Sequence, residues 1–328
     1  MPSDDIEIKE VVENTSTWIT PLKSEMSKVL IGQDSLVESL IIGLLTRGHL
    51  LIEGVPGLAK TLTVNALAGC IGIDFKRIQF TPDLLPADVV GTMIYNQQLG
   101  DFKPKLGPVF TNLLLADEIN RAPAKVQSAL LESMQEKQVT IGEKTYELPD
   151  PFLVMATQNP LDQEGTYQLP EAQLDRFLLK VIVNYPSRDE EREILNLMGT
   201  TTSNIKTTKV ISKQDISKSR EAIDLIHVEE TIKDYIVSLV VSTRNPETNS
   251  HLNHMIRCGA SPRATINLIL ASKAIAFMNG RSYVIPNDVK KVAHDILRHR
   301  ILLTFEAEAE EITTESVIDD ILNTVKVP

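Results

Sequence analysis

The chain has 328 residues, 42% of them apolar and 23% charged, and its 33 Lys+Arg against 44 Asp+Glu leave a formal charge of −11. This is the balance of a globular protein with an ample core, long for one domain and comfortable for two; it excludes a disordered or fibrous chain and disfavours a broad nucleic-acid-binding surface. Two distant cysteines (Cys70, Cys258), an acidic start and no apolar run near the roughly 18 residues of a membrane helix predict no disulfide framework, cysteine zinc site, signal peptide or membrane span, and hence a cytoplasmic protein.

In chain order, residues 6–47 predict helix with a break at Thr20-Pro21, and Leu36, Val37, Leu40, Ile41, Leu44 and Leu45 suit a helix packed on a sheet. Residues 49–53 form a short apolar run that ends in a Gly-Pro-Gly loop, and 61–70 are again helical. Further apolar runs at 75–80, 113–116, 152–157 and 177–183 are too short for helices. Lacking strict alternation, they suit strands buried on both faces, so a mostly parallel five-stranded sheet is expected. Segments 91–104 and 138–148 read as two hairpins inserted into this pattern. After Tyr185-Pro186-Ser187 the strand runs stop. The expected division is an α/β domain over 1–187 and an all-α domain over 188–328, with a Thr/Ser-rich linker or turn at 200–212. In the second part Ile232, Ile236, Leu239 and Val240 keep helical spacing. Pro286-Asn287-Asp288 predicts a helix start whose apolar face is Val289, Val292, Ile296 and Leu297.

The segment Gly54-Val55-Pro56-Gly57-Leu58-Ala59-Lys60-Thr61, followed by Leu62, stands between the first strand and a helix. A phosphate loop needs that context, because backbone N–H groups and a helix N-terminus must converge on the phosphates. Lys60 is then placed to neutralise the β- and γ-phosphates of ATP, and the Thr61 hydroxyl to hold Mg²⁺. Ala59 replaces the glycine usual before the lysine, which requires a negative φ there. Downstream, Leu113-Leu114-Leu115-Ala116-Asp117-Glu118 is an apolar strand ending in two carboxylates. Asp117 suits the Mg²⁺ shell and Glu118 the base that orients or deprotonates water. Together the two segments point to a nucleoside triphosphatase.

Five segments now stand in order: 54–61, 113–123 (LLLADEINRAP), 155–160 (MATQNP), 169–177 (LPEAQLDRF) and 261–264 (SPRA). In these the chain resembles the MoxR family of AAA+ ATPases, from about residue 31 to 303. The resemblance implies an AAA+ P-loop core with helix-2 and pre-sensor hairpin insertions and a C-terminal helical lid. It matches Asn159 to the sensor-1 amide, Arg176 to an arginine finger acting in a neighbouring subunit, and Arg263 to the sensor-2 arginine. Ile31 and Gly32 fall in its adenine-binding segment. A homo-oligomer, a hexameric ring, is implied, as is chaperone-like work on proteins with von Willebrand factor type A domains. Related branches include nucleic-acid motors and loaders, an alternative that the acidic charge disfavours, so nucleic acid is not an expected partner. Arg121, just after the Asp-Glu pair, is a second arginine within reach of an interface, a role that is not the favoured reading for it. His251 and His254 read as solvated rather than metal-binding. Lys290, Lys291, Arg298, His299 and Arg300 read as a basic solvated face or an inter-subunit contact.

Overall fold

The structure, a computed structural model, describes residues 2–55, 57–98, 100–159, 167–199, 207–244 and 252–328, with the side chains of 2–5 and 253 left aside. Pro56, Leu99, Pro160, His251 and the first part of the Thr/Ser-rich stretch lie outside the described residues.

Three helices come first: α1 (Pro2–Thr15), α2 (Ile19–Ser27) and α3 (Asp34–Thr46). The α/β part follows as β1 (Leu50–Glu53), α4 (Lys60–Ile71), β2 (Phe75–Gln79), α5 (Pro86–Val90), β3 (Gly91–Asn96), β4 (Asp101–Leu106), β5 (Leu113–Asp117), a 3-10 turn at Ile119–Arg121 and α6 (Ala124–Glu136). It closes with β6 (Gln138–Ile141), β7 (Lys144–Glu147), β8 (Leu153–Gln158), α7 (Glu171–Leu174), β9 (Leu179–Ile182) and α8 (Arg188–Met198). Then come α9 (Lys213–Leu225), α10 (Glu230–Ser242), β10 (Ile256–Cys258), α11 (Pro262–Met278), α12 (Pro286–Leu297), β11 (Leu302–Leu303), α13 (Phe305–Ala309) and α14 (Thr314–Thr324).

All five expected strands form one sheet in the order β2-β5-β8-β1-β9, and the ladders β2/β5, β5/β8 and β1/β8 are parallel. Burial on both faces holds for β1, β5 and β8. Strand β2 is an edge and exposes Lys76, Arg77 and Gln79, because only one neighbour covers it. Each of the two expected hairpins is an antiparallel pair, β3/β4 and β6/β7. On the first, Met93, Tyr95, Phe102 and Pro104 share one face, and Tyr95 meets Phe102 edge to face at 5.3 Å. The core of this part packs α6 (Val126, Leu130, Leu131, Met134) with Phe80, Val89, Leu114, Val154 and Phe177.

The predicted break at Thr20-Pro21 falls elsewhere. Pro21 sits in the first turn of α2, where no N–H is required of it; the chain instead breaks at 16–18 and again at 28–33. His49 roots β1. Its Nδ1 accepts the Val154 N–H at 3.0 Å and its Nε2 donates to the Met134 carbonyl at 3.1 Å, fixing the neutral tautomer. Complete burial pulls its pKa down to about 4.

The chain divides into two compact units: residues 18–177 with 181–216, and residues 1–17, 178–180 and 217–328. The division differs from a single boundary at 187/188: α1 groups with the C-terminal helices, and α8 with the sheet. Among its described residues the second unit is helical apart from the short β10/β11 ladder, two residues of β9 and a bridge between His227 and Tyr283. Its buried faces include Ile232, Ile236, Leu239 and Val240 on α10 and Val289, Val292, Ile296 and Leu297 on α12. Arg298 and Arg300 are not a solvated basic face. Arg300 is buried, and Arg298 pairs with Asp295 and, at 2.9 Å, with Glu315, so their charge is spent inside. Among the described residues no helix is long and apolar enough to cross a membrane.

Candidate active site

Strand β1 drives three fully buried residues, Leu50 to Ile52, towards Glu53, and the chain leaves the sheet at Gly54. A Cβ on Gly54 would lie 2.8 Å from the Val183 carbonyl oxygen, so only glycine fits the exit. Gly57 has φ +91°. The expectation of a negative φ at Ala59 is overturned: the residue is left-handed at φ 53°, ψ 18°, the conformation that the usual glycine adopts freely and alanine adopts under strain of about 1–2 kcal/mol. Tight packing of the turn onto α4 holds it there, with Thr63 N–H and Oγ1 both bonded to the Ala59 carbonyl. Helix α4 then opens with Lys60 and Thr61, its N-terminus facing the loop. The Lys60 ammonium folds back to the Gly54 carbonyl at 2.6 Å. Burial pulls the Lys60 pKa down, opposed by the fields of Asp117, Glu118 and Glu53.

Across the cleft, β5 ends at Asp117 and the chain turns at Glu118, also left-handed at φ 55°. The Thr157 hydroxyl, on neighbouring β8, holds both residues. It donates to Asp117 Oδ1 at 2.6 Å and accepts the Glu118 N–H at 2.8 Å. Arg77 on β2 grips the other oxygen, Asp117 Oδ2, through Nε at 3.1 Å and Nη2 at 2.5 Å. Arg121 lies 3.1 Å from Glu118 Oε2, an ion pair within the chain. Backbone strain of this kind, at Ala59 and Glu118 on opposite walls, accumulates at functional sites.

The two walls enclose a cleft of about 410 Å³. It brings together Gly54, Gly57, Leu58, Ala59, Lys60, Thr61, Leu62, Asp117, Glu118 and Asn159 of the predicted set, and adds Arg77 and Thr157. Val55 belongs to the loop without lining the cleft. An adjoining apolar cavity of about 200 Å³ shares Gly57, Leu58, Ala59 and Leu62 with it. Its other walls are Ile31 and Gln33, then Pro186 with Ile194, Leu197 and Met198 of α8. Gly32 does not line that cavity. It turns at φ +70° against the Glu190 carboxyl group, where a Cβ would come within 2.6 Å. Glu190 is itself held by the Ser187 capping box that starts α8, which lowers its pKa. Arg176 stands exposed just after α7 and is not among the residues lining the cleft. Arg263 is the second residue of α11, in the other compact unit, where the Ser261 hydroxyl caps its N–H at 3.1 Å.

Sequence reasoning missed Arg77, Thr157 and the α8 wall. Thr157 and Arg77 are polar residues inside strands, visible only once register is known. The α8 wall left a clearer trace, because Ile194, Leu197 and Met198 are an i, i+3, i+4 set on a helix whose first six residues are all charged.

A helix N-terminus and a lysine beside a glycine-containing loop make an anion site suited to phosphates. A hydroxyl and a carboxylate facing them fit Mg²⁺, which takes one or two protein ligands and completes its shell with water and phosphate oxygens. Asp117 Oδ2 is engaged by the Arg77 guanidinium at 2.5 Å. Among the described residues no group of three or more His, Cys, Asp or Glu forms an all-protein metal cage.

A family profile described as "ATPase family associated with various cellular activities (AAA)" matches residues 49–179, and an AAA lid domain profile matches 249–321. Chaperone MoxR1 of Mycobacterium tuberculosis is 52% identical over 306 residues, covering 93% of this chain and 81% of that protein. Protein MoxR of Paracoccus denitrificans is 30% identical over 342 residues, covering 96% and 98%. A solved structure from Cytophaga hutchinsonii, titled there as a candidate ATPase, superposes with a TM-score of 0.92 at 51% identity over 97% of both chains.

Proposed function

Since the chain belongs to the MoxR family of AAA+ ATPases, we propose that it hydrolyses ATP in the cleft between the loop 54–61 and the β5 end, and uses the cycle in chaperone-like remodelling of partner proteins. The observation that carries the reading is the Thr157 clamp, which sets Asp117 and Glu118 side by side opposite Lys60. The loop amides and Lys60 hold the phosphates, while Ile31, Gln33 and the α8 residues enclose the adenine. Thr61 and Asp117 would hold Mg²⁺, which would supply charge neutralisation to the phosphates. Glu118 and Asn159 orient the attacking water, with Glu118 accepting its proton. The exposed Arg176 suits action in a neighbouring copy, which requires a ring, here a hexamer; Arg263 serves as the sensor of nucleotide in the helical lid. The two hairpins present nucleotide state to a client, a protein with a von Willebrand factor type A domain, in the cytoplasm.

The test is Glu118→Gln, which keeps size and loses the base. It is expected to bind ATP as wild type does and to turn over about 10²–10⁴-fold more slowly. Undiminished turnover refutes the assignment. The same variant, loaded with ATP and compared with Lys60→Ala, serves as bait in lysate. Von Willebrand type A proteins retained only by the loaded form support the chaperone reading; salt-sensitive retention of DNA instead supports a nucleic-acid motor.

A further inference from the structure

We propose that Arg77 is a positioning residue that holds Asp117 and competes with the divalent cation for that carboxylate. The inference rests on the ATPase reading and concerns a cleft residue to which that reading gives no task. In the parallel β2/β5 ladder Gln79 stands opposite Asp117, and Arg77 is two residues upstream, on the same face of the edge strand. From there its guanidinium reaches forward to Asp117 Oδ2 with two N–H groups, at 3.1 and 2.5 Å, and Nη2 also donates to Gln79 Oε1 at 2.9 Å. The other oxygen, Oδ1, takes the Thr157 hydroxyl at 2.6 Å. Both oxygens of Asp117 are therefore engaged, one by a neutral donor and one by a cation.

A divalent ion shared between Thr61 and Asp117 would bring two positive charges beside this guanidinium. Coulomb repulsion at such separations is strong in a cleft and weak only in bulk water. One of the two partners can move at little cost. The Arg77 side chain is 47% exposed and swings into solvent, whereas Asp117, 18% exposed and pinned by Thr157, stays. Arg77 thus keeps the adjoining Asp117 and Glu118 carboxylates compatible while no cation is bound, and yields when nucleotide brings one. Linkage makes the exchange reciprocal: whatever Arg77 gains from Asp117 is subtracted from cation affinity.

The experiment measures Mn²⁺ binding to ADP-loaded protein by electron paramagnetic resonance, with ADP affinity in EDTA measured separately. A half-exposed ion pair is weak, so Arg77→Gln should bind Mn²⁺ about two- to fivefold more tightly than wild type, with Arg77→Lys between them. Its ADP affinity in EDTA should stay close to wild type, which also certifies the folded pocket. Equal or weaker Mn²⁺ binding by Arg77→Gln overturns the competition. Loss of ADP binding in EDTA by both variants also overturns it, because it assigns Arg77 to the phosphates. A wild-type protein that binds no ADP overturns the ATPase reading itself, a failure distinct from the other two.

Discussion

Acid should destabilise this protein through His49, a residue remote from the reacting groups that ties β1, α6 and β8 together. Its Nδ1 accepts a backbone N–H and its Nε2 donates to a carbonyl, so a second proton on Nδ1 would face the Val154 N–H in a dry interior. The folded pKa is therefore pulled from 6.5 to about 4. Between those two values the unfolded chain binds the proton and the folded chain does not. The contribution of His49 is thus complete above pH 6.5, declines as pH falls, and stops declining below pH 4. At 1.36 kcal/mol per pKa unit the full loss is about 3 kcal/mol, with about 2 kcal/mol of it gone by pH 5. A loss of that size is a large fraction of typical domain stability. Urea unfolding followed by Trp18, the one tryptophan and buried, reads it directly. His49→Gln retains a donor and an acceptor without a proton to gain, so the wild-type minus variant stability should shrink from pH 7 to pH 5 by about 2 kcal/mol. A difference that stays flat across that range refutes the argument.

Thr157→Val removes the hydroxyl that serves Asp117 and Glu118 at once; it should keep ATP binding, slow turnover, and cost about 1–3 kcal/mol for the groups left unpaired. Single-turnover hydrolysis and urea midpoints check it, and wild-type turnover would deny the clamp its role. Ala59→Gly releases about 1–2 kcal/mol of left-handed strain against about 0.5–1 kcal/mol of added unfolded-chain entropy, so stability should hold or rise slightly with ATP affinity retained. Ala59→Val, β-branched at positive φ, should lose nucleotide binding in the same titration.

The sequence made the five strands and both hairpins legible because short apolar runs and turn residues are local signals. The loop 54–61 and the Asp117-Glu118 strand end were equally local, each recognisable without knowing its neighbour in space. What stayed hidden depended on register. Arg77 and Asp117 are 40 residues apart, as are Thr157 and Asp117, and only the β2-β5-β8 order brings the three side chains together. Ala59 misled because composition carries no φ, and alanine there suggested a conformation that the tight turn does not permit. Arg298 and Arg300 looked like a surface patch since their partners, Asp295, Glu315 and backbone carbonyls, are unremarkable in sequence.

The apolar cavity beside the loop has walls from chain segments on both sides of the matched AAA region: Val29 to Gln33 before it, and Pro186 with α8 after it. Next to these walls Gly32 packs against the Glu190 carboxyl group, so the two flanks also meet one another directly. The matched region 49–179 contains the loop, the strand-end carboxylates and Asn159 but not these outer walls of the cavity. On the adenine assignment proposed above, preference for one nucleotide over another rests on these flanks, and exchanging the two segments together is expected to change it.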